Sequence, residues 1–175
     1  DNASYTPEIT TQDFGGNLIW TYEGKTEEED KCGENLTWKL AEDGKLVITG
    51  TGRMFDYSIA DYQYAPWYEQ RTEITSIEID NNVTYIGNYA FYRCNKVSDE
   101  KTELPEKLEE IGEGAFRNCS IKSVDIPLLV KCVGKEAFAW SGLVSVSLPA
   151  SLQALPENMF ADSHHLKNVA FSKGL

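Results

Sequence analysis

The sequence predicts a repeat solenoid in which short parallel strands alternate with short helical turns, preceded by an N-terminal β-hairpin cap. Three observations support this fold class. One short motif occurs four times, a column of apolar-Pro pairs shares its period, and a hairpin pattern lies upstream of both. Self-similarity at a period of roughly 20 to 30 residues is typical of units that bury their apolar faces only against neighbouring units.

The repeated motif is Ile-Gly-x-x-Ala-Phe, and its phenylalanines are spaced by 25, 22 and 22 residues. The four copies end at Phe91, Phe116, Phe138 and Phe160. The third has Val133 in place of Ile, and the fourth has Leu155, Pro156 and Met159 in place of Ile, Gly and Ala. The second column repeats every 22 residues, at Leu104-Pro105, Ile126-Pro127 and Leu148-Pro149. Two independent columns that share one period are hard to obtain by chance, so we expect about four stacked units.

Each unit is predicted to have a strand half and a helical half. Residues 121–127 and 143–149 alternate apolar with polar positions and end in Pro, which is typical of short strands. Residues 74–79 and 166–171 fit the same pattern. In the motif, apolar residues at positions i, i+4 and i+5 predict one or two helical turns with Ile, Ala and Phe facing inward.

The glycine of the motif does not need a positive φ. Gly87, Gly112 and Gly134 hold this position in three copies, whereas Pro156 holds it in the fourth. Because the pyrrolidine ring fixes φ at about −65°, we interpret the position as the start of a helix, where Pro and small residues are accepted.

A cap is predicted over residues 31–72. Apolar residues alternate on both sides of Asp43-Gly44, which indicates a hairpin, at Leu36, Trp38, Leu40, Leu46 and Ile48. The aromatic-rich residues 54–70 follow. Because a solenoid needs its open end covered, we interpret them as a plug on the first unit. A sugar-stacking platform is the alternative, and the exposure of Trp67, Tyr62 and Tyr64 distinguishes the two.

The remaining chain divides into a polar extension, residues 1–30, and a solenoid of about four units, residues 73–175. A start at Asp1 rather than Met predicts that a leader has been removed, which is compatible with secretion. The net charge of −12 disfavours nucleic acid and anionic membrane surfaces as partners. No apolar run reaches the roughly 20 residues needed to span a bilayer, and no cofactor or metal is expected because the four cysteines form no CxxC pair.

Two cysteines, Cys94 and Cys119, each follow a motif phenylalanine by three residues. Stacked coils lie about 4.8 Å apart, which is within the Cα span of a disulfide. However, Ser141 and Ser163 hold the same place in later units, which indicates a ladder of small residues. We therefore favour a pair of buried thiols over a disulfide.

These segments resemble BspA-type leucine-rich repeat proteins of bacterial cell surfaces. The resemblance rests on the IGxxAFxxC units, the LxxVxLP strands and the lead-in CGENLTW…GKLVITGTGRMFDY…APWY, and it covers residues 31–175. It implies a right-handed leucine-rich repeat solenoid and a non-enzymatic role in attachment. The departures are the first step of 25 residues, through residues 95–103, and the serines that replace the motif cysteine in the third and fourth units.

Outward positions of the predicted strands are the candidate ligand-binding residues: Glu78, Glu103, Lys122, Asp125 and Lys167. The three carboxylates share one column, which Ser147 and Ala170 continue. A cation site or a glycosidase pair is conceivable in such a column. A flat, solvated sheet gives neither carboxyl group a reason to stay protonated, so we favour a solvated face.

No residue is assigned a catalytic role. His164 and His165 lie in a predicted surface turn, and no GxSxG, P-loop or dinucleotide motif is present. By resemblance, we expect a secreted or surface-exposed adhesion module whose partner is a protein or glycan on a host or neighbouring cell. A structural spacer, and a carbohydrate-binding module that uses the aromatic cap, are the alternatives.

Overall fold

The computed structural model describes residues 30–152 and 154–171. All but the last residue of the predicted extension 1–30 therefore lies outside the described residues. The strands are β1 (Lys31–Gly33), β2 (Leu36–Leu40), β3 (Lys45–Gly50), β4 (Gly52–Arg53), β5 (Ser76–Ile79), β6 (Val83–Ile86), β7 (Glu110–Ile111), β8 (Ser123–Asp125), β9 (Cys132–Val133), β10 (Ser145–Leu148) and β11 (Asn168–Phe171). A short 3₁₀ helix spans Tyr68–Gln70.

The predicted hairpin is confirmed. Strands β2 and β3 pair antiparallel, and the turn between them has Gly44 at φ +83°, a conformation that favours glycine. Strand β1 adds antiparallel to β2, while β5 adds parallel to β3. The hairpin therefore shares its sheet with the first strand of the solenoid, so the cap and the first coil are continuous.

Two further parallel ladders form the solenoid. One has the order β4-β6-β7-β9, and the other has the order β11-β10-β8. The predicted strands in residues 74–79, 121–127, 143–149 and 166–171 are all present as β5, β8, β10 and β11. Each coil crosses from the strand face formed by these strands to the second ladder and returns.

The predicted helical turns are wrong for the described residues, because each copy of the motif forms consecutive tight turns instead. Two residues per coil adopt a positive φ, at Tyr89 and Arg93, Gly114 and Asn118, Glu136 and Trp140, and Asn158 and Asp162. The carbonyl of Gly87 accepts from the N–H of Ala90 at 3.3 Å, as in a four-residue turn.

Hydrogen bonds between coils explain the absence of a helix in these turns. The N–H groups of Tyr89 and Phe91 donate to the carbonyls of Glu113 and Ala115 in the next coil, both at 2.8 Å. An α-helix would direct these donors to carbonyls of its own segment. Every second N–H, at Tyr89, Phe91 and Arg93, instead donates to the neighbouring coil, so the turns stack as a third ladder.

The motif glycines have no positive φ, as the sequence predicts, but the interpretation of their position as a helix start is wrong. They allow close approach between coils, since a Cβ built on Gly87 would lie 1.8 Å from the carbonyl oxygen of Phe55. Pro156 has no N–H to continue the ladder, which ends at β9, and the preceding Leu155 is 54% exposed.

A column of aromatic rings fills the core. Phe91, Phe116, Phe138 and Phe160 stack with centroids 5.0, 5.3 and 6.0 Å apart, and the first three are fully buried. Each buried ring contributes roughly 1.5–3 kcal/mol of transfer free energy. One ring per coil therefore supplies a continuous core that no single unit could form.

Candidate functional site

Two of the three carboxylates of the predicted column, Glu103 and Asp125, are in register on the strand face. Strand register places Val47 beside Glu78, and Asp125 beside Ser147, which in turn lies beside Ala170. An isolated bridge between Thr102 and Val124 brings Glu103 into line with Asp125. The register thus aligns the predicted column from Glu103 to Ala170, while Glu78 belongs to a separate sheet.

The strand face is broken between β5 and residues 99–104. The first sheet ends at β5 and the next begins at β8, and Thr102 joins that second sheet through one bridge and one bond to the carbonyl of Ser123 at 2.9 Å. The N–H of Ser98 donates to the carbonyl of Thr75 at 2.9 Å. Among the described residues, no backbone hydrogen bond joins Ile77, Glu78 or Ile79 to residues 99–104.

An open cleft of about 330 Å³ occupies this break. It is lined by Lys45, Ser76, Ile77, Glu78, Ile79, Asn81, Asp99, Lys101, Glu103 and Leu104. Its volume lies near the lower end of the roughly 300–1,000 Å³ range of ligand pockets. The 25-residue unit is the only one to carry additional residues among the described coils, and these residues form one wall of the cleft.

Ion pairs line both sides of the cleft. The ammonium group of Lys45 contacts Glu78 at 3.0 Å, and that hydrogen bond raises the pKa of Lys45. Lys101 contacts Glu103 at 3.2 Å and Asp125 at 3.1 Å, and its hydrogen bond to Asp125 is the main cause of the raised pKa of Lys101. All five side chains are well exposed, so each pair contributes little to stability and can exchange partners.

The five candidate residues are not all brought together. Glu78 and Glu103 line the cleft on opposite sides, and Asp125 adjoins it through Lys101. The ammonium group of Lys122 pairs with Glu100 at 2.5 Å. Lys167 lies in a later coil, where its backbone N–H donates to the carbonyl of Val144. Neither of these two lysines lines the cleft.

Three charged residues of the cleft, Lys45, Asp99 and Lys101, were not among the residues predicted from the sequence. The sequence showed the additional residues of the 25-residue step but not that they separate two sheets. Lys45 comes from the hairpin, and only the parallel pairing of β3 with β5 brings it to Glu78. That pairing joins residues about 30 positions apart and leaves no local signal.

The aromatic segment contains both a plug and a surface row. Trp67 is 1% exposed, donates its indole N–H to the carbonyl of Ala90 at 2.9 Å and stacks on Phe91, so the plug prediction is confirmed for this residue. Tyr64 is half-buried and Tyr62 is 80% exposed. The exposure of Tyr62 contradicts the plug prediction for that ring, whereas Tyr64 is packed against Tyr68.

A row of tyrosines runs along the turn edge. Tyr68 stacks on Tyr64 at 4.0 Å and lies parallel to Tyr92 at 6.2 Å. Two guanidinium groups flank the row, that of Arg71 lying 4.1 Å from the Tyr68 ring and that of Arg93 lying 5.2 Å from the Tyr92 ring. The row occupies a different face from the cleft lining.

The cysteines and histidines form no reactive site. Cys94 and Cys119 are buried free thiols, as favoured from the sequence, and burial raises the pKa of Cys119 to about 12. Cys132 is exposed in the column that contains Tyr85 and Glu110. His164 lies 3.8 Å from Asp162 on the surface. Within residues 30–152 and 154–171, no three His, Cys, Asp or Glu side chains cluster as a metal site would require.

The described part of the chain contains no helix that is both long and apolar enough to cross a bilayer.

Short parallel ladders, tight turns and one stacked aromatic ring per coil define a leucine-rich repeat solenoid. The model of the BspA type leucine rich repeat region matches residues 63–175 in six copies. The chain therefore belongs to the BspA-type leucine-rich repeat family. A search of curated proteins finds no match.

Solved bacterial leucine-rich repeat proteins share the fold. A protein from Eubacterium ventriosum superposes with a TM-score of 0.64 at 22% identity, covering 81% of this chain and 43% of that one. The T. pallidum leucine-rich repeat protein gives a TM-score of 0.58 at 20% identity, covering 84% of this chain and 71% of that one. A leucine-rich repeat protein from Bacteroides ovatus gives a TM-score of 0.56 at 24% identity, covering 81% of this chain and 41% of that one. The chain thus spans less than half the length of two of these relatives.

Proposed function

We propose that this domain is a non-enzymatic binding module, secreted or exposed at a bacterial cell surface, that holds a protein partner on its strand face. The observation that carries the proposal is the charged cleft at the break between the two strand-face sheets. Glu78 and Glu103 lie on opposite sides of it, beside Lys45 and Lys101. A solenoid presents such an extended surface on a rigid scaffold, which suits contact with a macromolecule.

The proposed partner is a protein of a host surface, of extracellular matrix or of a neighbouring cell. Leucine-rich repeat domains generally bind other proteins, which supports this class. The excess of 28 acidic over 16 basic residues favours a partner with basic contact residues. The same excess disfavours nucleic acid.

The carboxylates support binding better than hydrolysis. Glu103 and Asp125 both contact the ammonium group of Lys101 and are exposed to solvent. A glycosidase general acid needs a site that holds one carboxyl group protonated, usually by burial. An open cleft with lysine partners on both sides provides no such environment.

The experiment is a binding screen of the chain against immobilised matrix proteins and glycans, followed by charge reversal. The double variant Glu78→Lys with Glu103→Lys is expected to bind its partner on the order of tenfold more weakly. The double variant Glu34→Lys with Glu157→Lys changes the net charge equally at exposed positions outside the cleft, and it is expected to bind normally. Equal losses in both variants would refute the cleft as the site, and no response to any protein or glycan would favour a spacer.

The tyrosine row favours glycan binding as a second candidate function. Tyr62 is 80% exposed and has φ +58°, a conformation that is unfavourable for a bulky residue. Two backbone hydrogen bonds between Ser58 and Gln63, at 2.8 and 2.9 Å, hold the loop that presents it. If the row binds sugars, Tyr62→Ala removes glycan responses in the screen while Phe55→Ala, at another exposed aromatic side chain, does not.

A further inference from the structure

Two sheet edges face each other across the cleft. Strand β5 has β3 on one side, and on its other side it meets residues 99–104 without a backbone ladder. Residues 99–104 pair through Thr102 only with the coil that follows. Unpaired strand edges are templates for an added strand, and this is one recurring mode of peptide recognition.

The free peptide groups of β5 can be assigned from its other edge. The N–H of Asp80 donates to the carbonyl of Ile48 in β3 at 2.9 Å. Successive peptide groups of a strand point to opposite edges, so Ile79 and Ile77 direct their N–H groups toward the cleft. In the described chain, neither residue has a backbone partner there.

We propose that the cleft binds an extended peptide segment of a protein partner as an added strand parallel to β5. The segment has the order acidic or small polar, apolar, basic, apolar. This inference rests on the proposed binding function of the strand face and specifies its partner. A parallel orientation extends the direction of the neighbouring pairs β3–β5 and β8–β10.

The residue order follows from the columns that the added strand would join. Its basic residue would lie between Glu78 and Glu103, which face outward from the two edges. The apolar residue before it would lie in the inward column of Ile77 and Thr102. The apolar residue after it would lie in the inward column of Ile79 and Leu104. Because side chains alternate between faces, these positions follow one another along the strand.

The first position of the segment would lie in the outward column of Ser76 and Lys101. A carboxylate there faces the ammonium group of Lys101, whereas a Lys or Arg would be repelled. Two side chains that lie directly across from each other on neighbouring strands stabilise the pair when their charges have opposite signs and destabilise it when the signs are the same. The existing pairs Lys45–Glu78 and Lys101–Glu103 are exposed, so an incoming basic side chain can compete for the carboxylates.

The test uses the synthetic peptide Ser-Glu-Val-Lys-Val-Ser at millimolar concentration and amide NMR of the whole chain. Binding is expected to slow hydrogen exchange at Ile77 and Ile79, with little change at Asp80, which already has a partner. The same peptide with N-methyl groups on both valines cannot donate backbone hydrogen bonds to the opposite edge, residues 99–104, and is expected to bind roughly tenfold more weakly or worse. Binding without slower exchange at Ile77 and Ile79 would overturn strand addition.

Charge exchange supplies a second readout. The double variant Glu78→Lys with Glu103→Lys is expected to lose the first peptide and to prefer Ser-Lys-Val-Glu-Val-Ser. The control variant Glu34→Lys with Glu157→Lys is expected to keep the original preference. If neither peptide binds while a protein identified in the screen does so through Glu78 and Glu103, strand addition is wrong and the proposed binding function stands. If neither peptide binds and no protein in the screen binds through Glu78 and Glu103, the proposed function itself is refuted.

Discussion

Trp67 stacks on Phe91 with ring centroids 5.7 Å apart, and its indole N–H donates to the carbonyl of the adjacent Ala90 at 2.9 Å. A residue of the cap thereby begins a column of rings that continues through the described coils as far as Phe160. Trp67→Ala is expected to lower the free energy of unfolding by about 3–5 kcal/mol, since it removes a fully buried ring. Chemical denaturation measures the loss. Tyr62→Ala is the control and should change stability by less than about 0.5 kcal/mol.

Thr102 occupies a core position of the strand face with no partner for its hydroxyl group in the described chain. It is 1% exposed, and it aligns with Val124 in the next coil. Burying an unpaired hydroxyl group costs about 1–3 kcal/mol, so Thr102→Val is expected to raise the free energy of unfolding by about 1 kcal/mol or more.

A buried hydroxyl group with partners gives the opposite expectation. Ser163 accepts from the N–H of Ser141 at 3.2 Å and donates to the carbonyl of Phe138 at 2.8 Å. Ser163→Ala is therefore expected to destabilise the fold by about 1–3 kcal/mol, measured by chemical denaturation.

The same measurement tests Thr102→Val. If that variant is less stable than the original chain, the hydroxyl group of Thr102 has a hydrogen-bond partner and the prediction is wrong.

Close packing of coils at Gly134 predicts a strong response to one methyl group. A Cβ at this position would lie 2.4 Å from the backbone nitrogen of Glu113. Gly134→Ala is expected to lower the thermal midpoint and to cost about 1–3 kcal/mol, because neighbouring coils must separate. Gly142→Ala is the matched comparison, as its Cβ would meet its nearest atom at 3.1 Å. Equal costs at both positions would indicate a general effect of glycine replacement.

The buried thiols predict a loss of stability at alkaline pH. Burial raises the pKa of Cys32 and of Cys119 from 9.0 to about 12. Their contribution is complete below pH 9, where the thiol is neutral in both the folded and unfolded chain, and it is lost as pH rises toward 12. Denaturation at pH 8 and pH 10.5 measures the difference, and Cys32→Ala should reduce it.

In the folded chain at pH 8, Cys132 is expected to be the thiol that reacts with a labelling reagent, since it is the only exposed cysteine of the four.

The strands and the hairpin could be predicted from the sequence because alternation of apolar and polar residues indicates a β-strand and no other regular element. The inward positions of Ile86, Ala90 and Phe91 were also predicted correctly, but not the backbone between them. Helical turns and stacked tight turns place the same residues inward. The difference lies in the positive φ of Tyr89, a residue type that carries no signal for that conformation.

The cleft needed the structure for a similar reason. The sequence shows that residues 95–103 lengthen one unit, but additional residues can form a bulge on any side of a coil. Here the second ladder stays intact, since Tyr85 and Ile86 pair directly with Glu110 and Ile111. The additional residues are therefore accommodated on the strand face, where β5 has no neighbouring strand on its second side in the described chain.

The most direct measurement is native-state hydrogen exchange of the unliganded chain at Ile77 and Ile79. If the strand face is broken there, these amides exchange at least on the order of tenfold faster than those of Asp80 and of Val146, which lies in a strand paired on both sides. Equal protection at all four amides would show a continuous ladder between the first two coils and would contradict the cleft on which the proposed function depends.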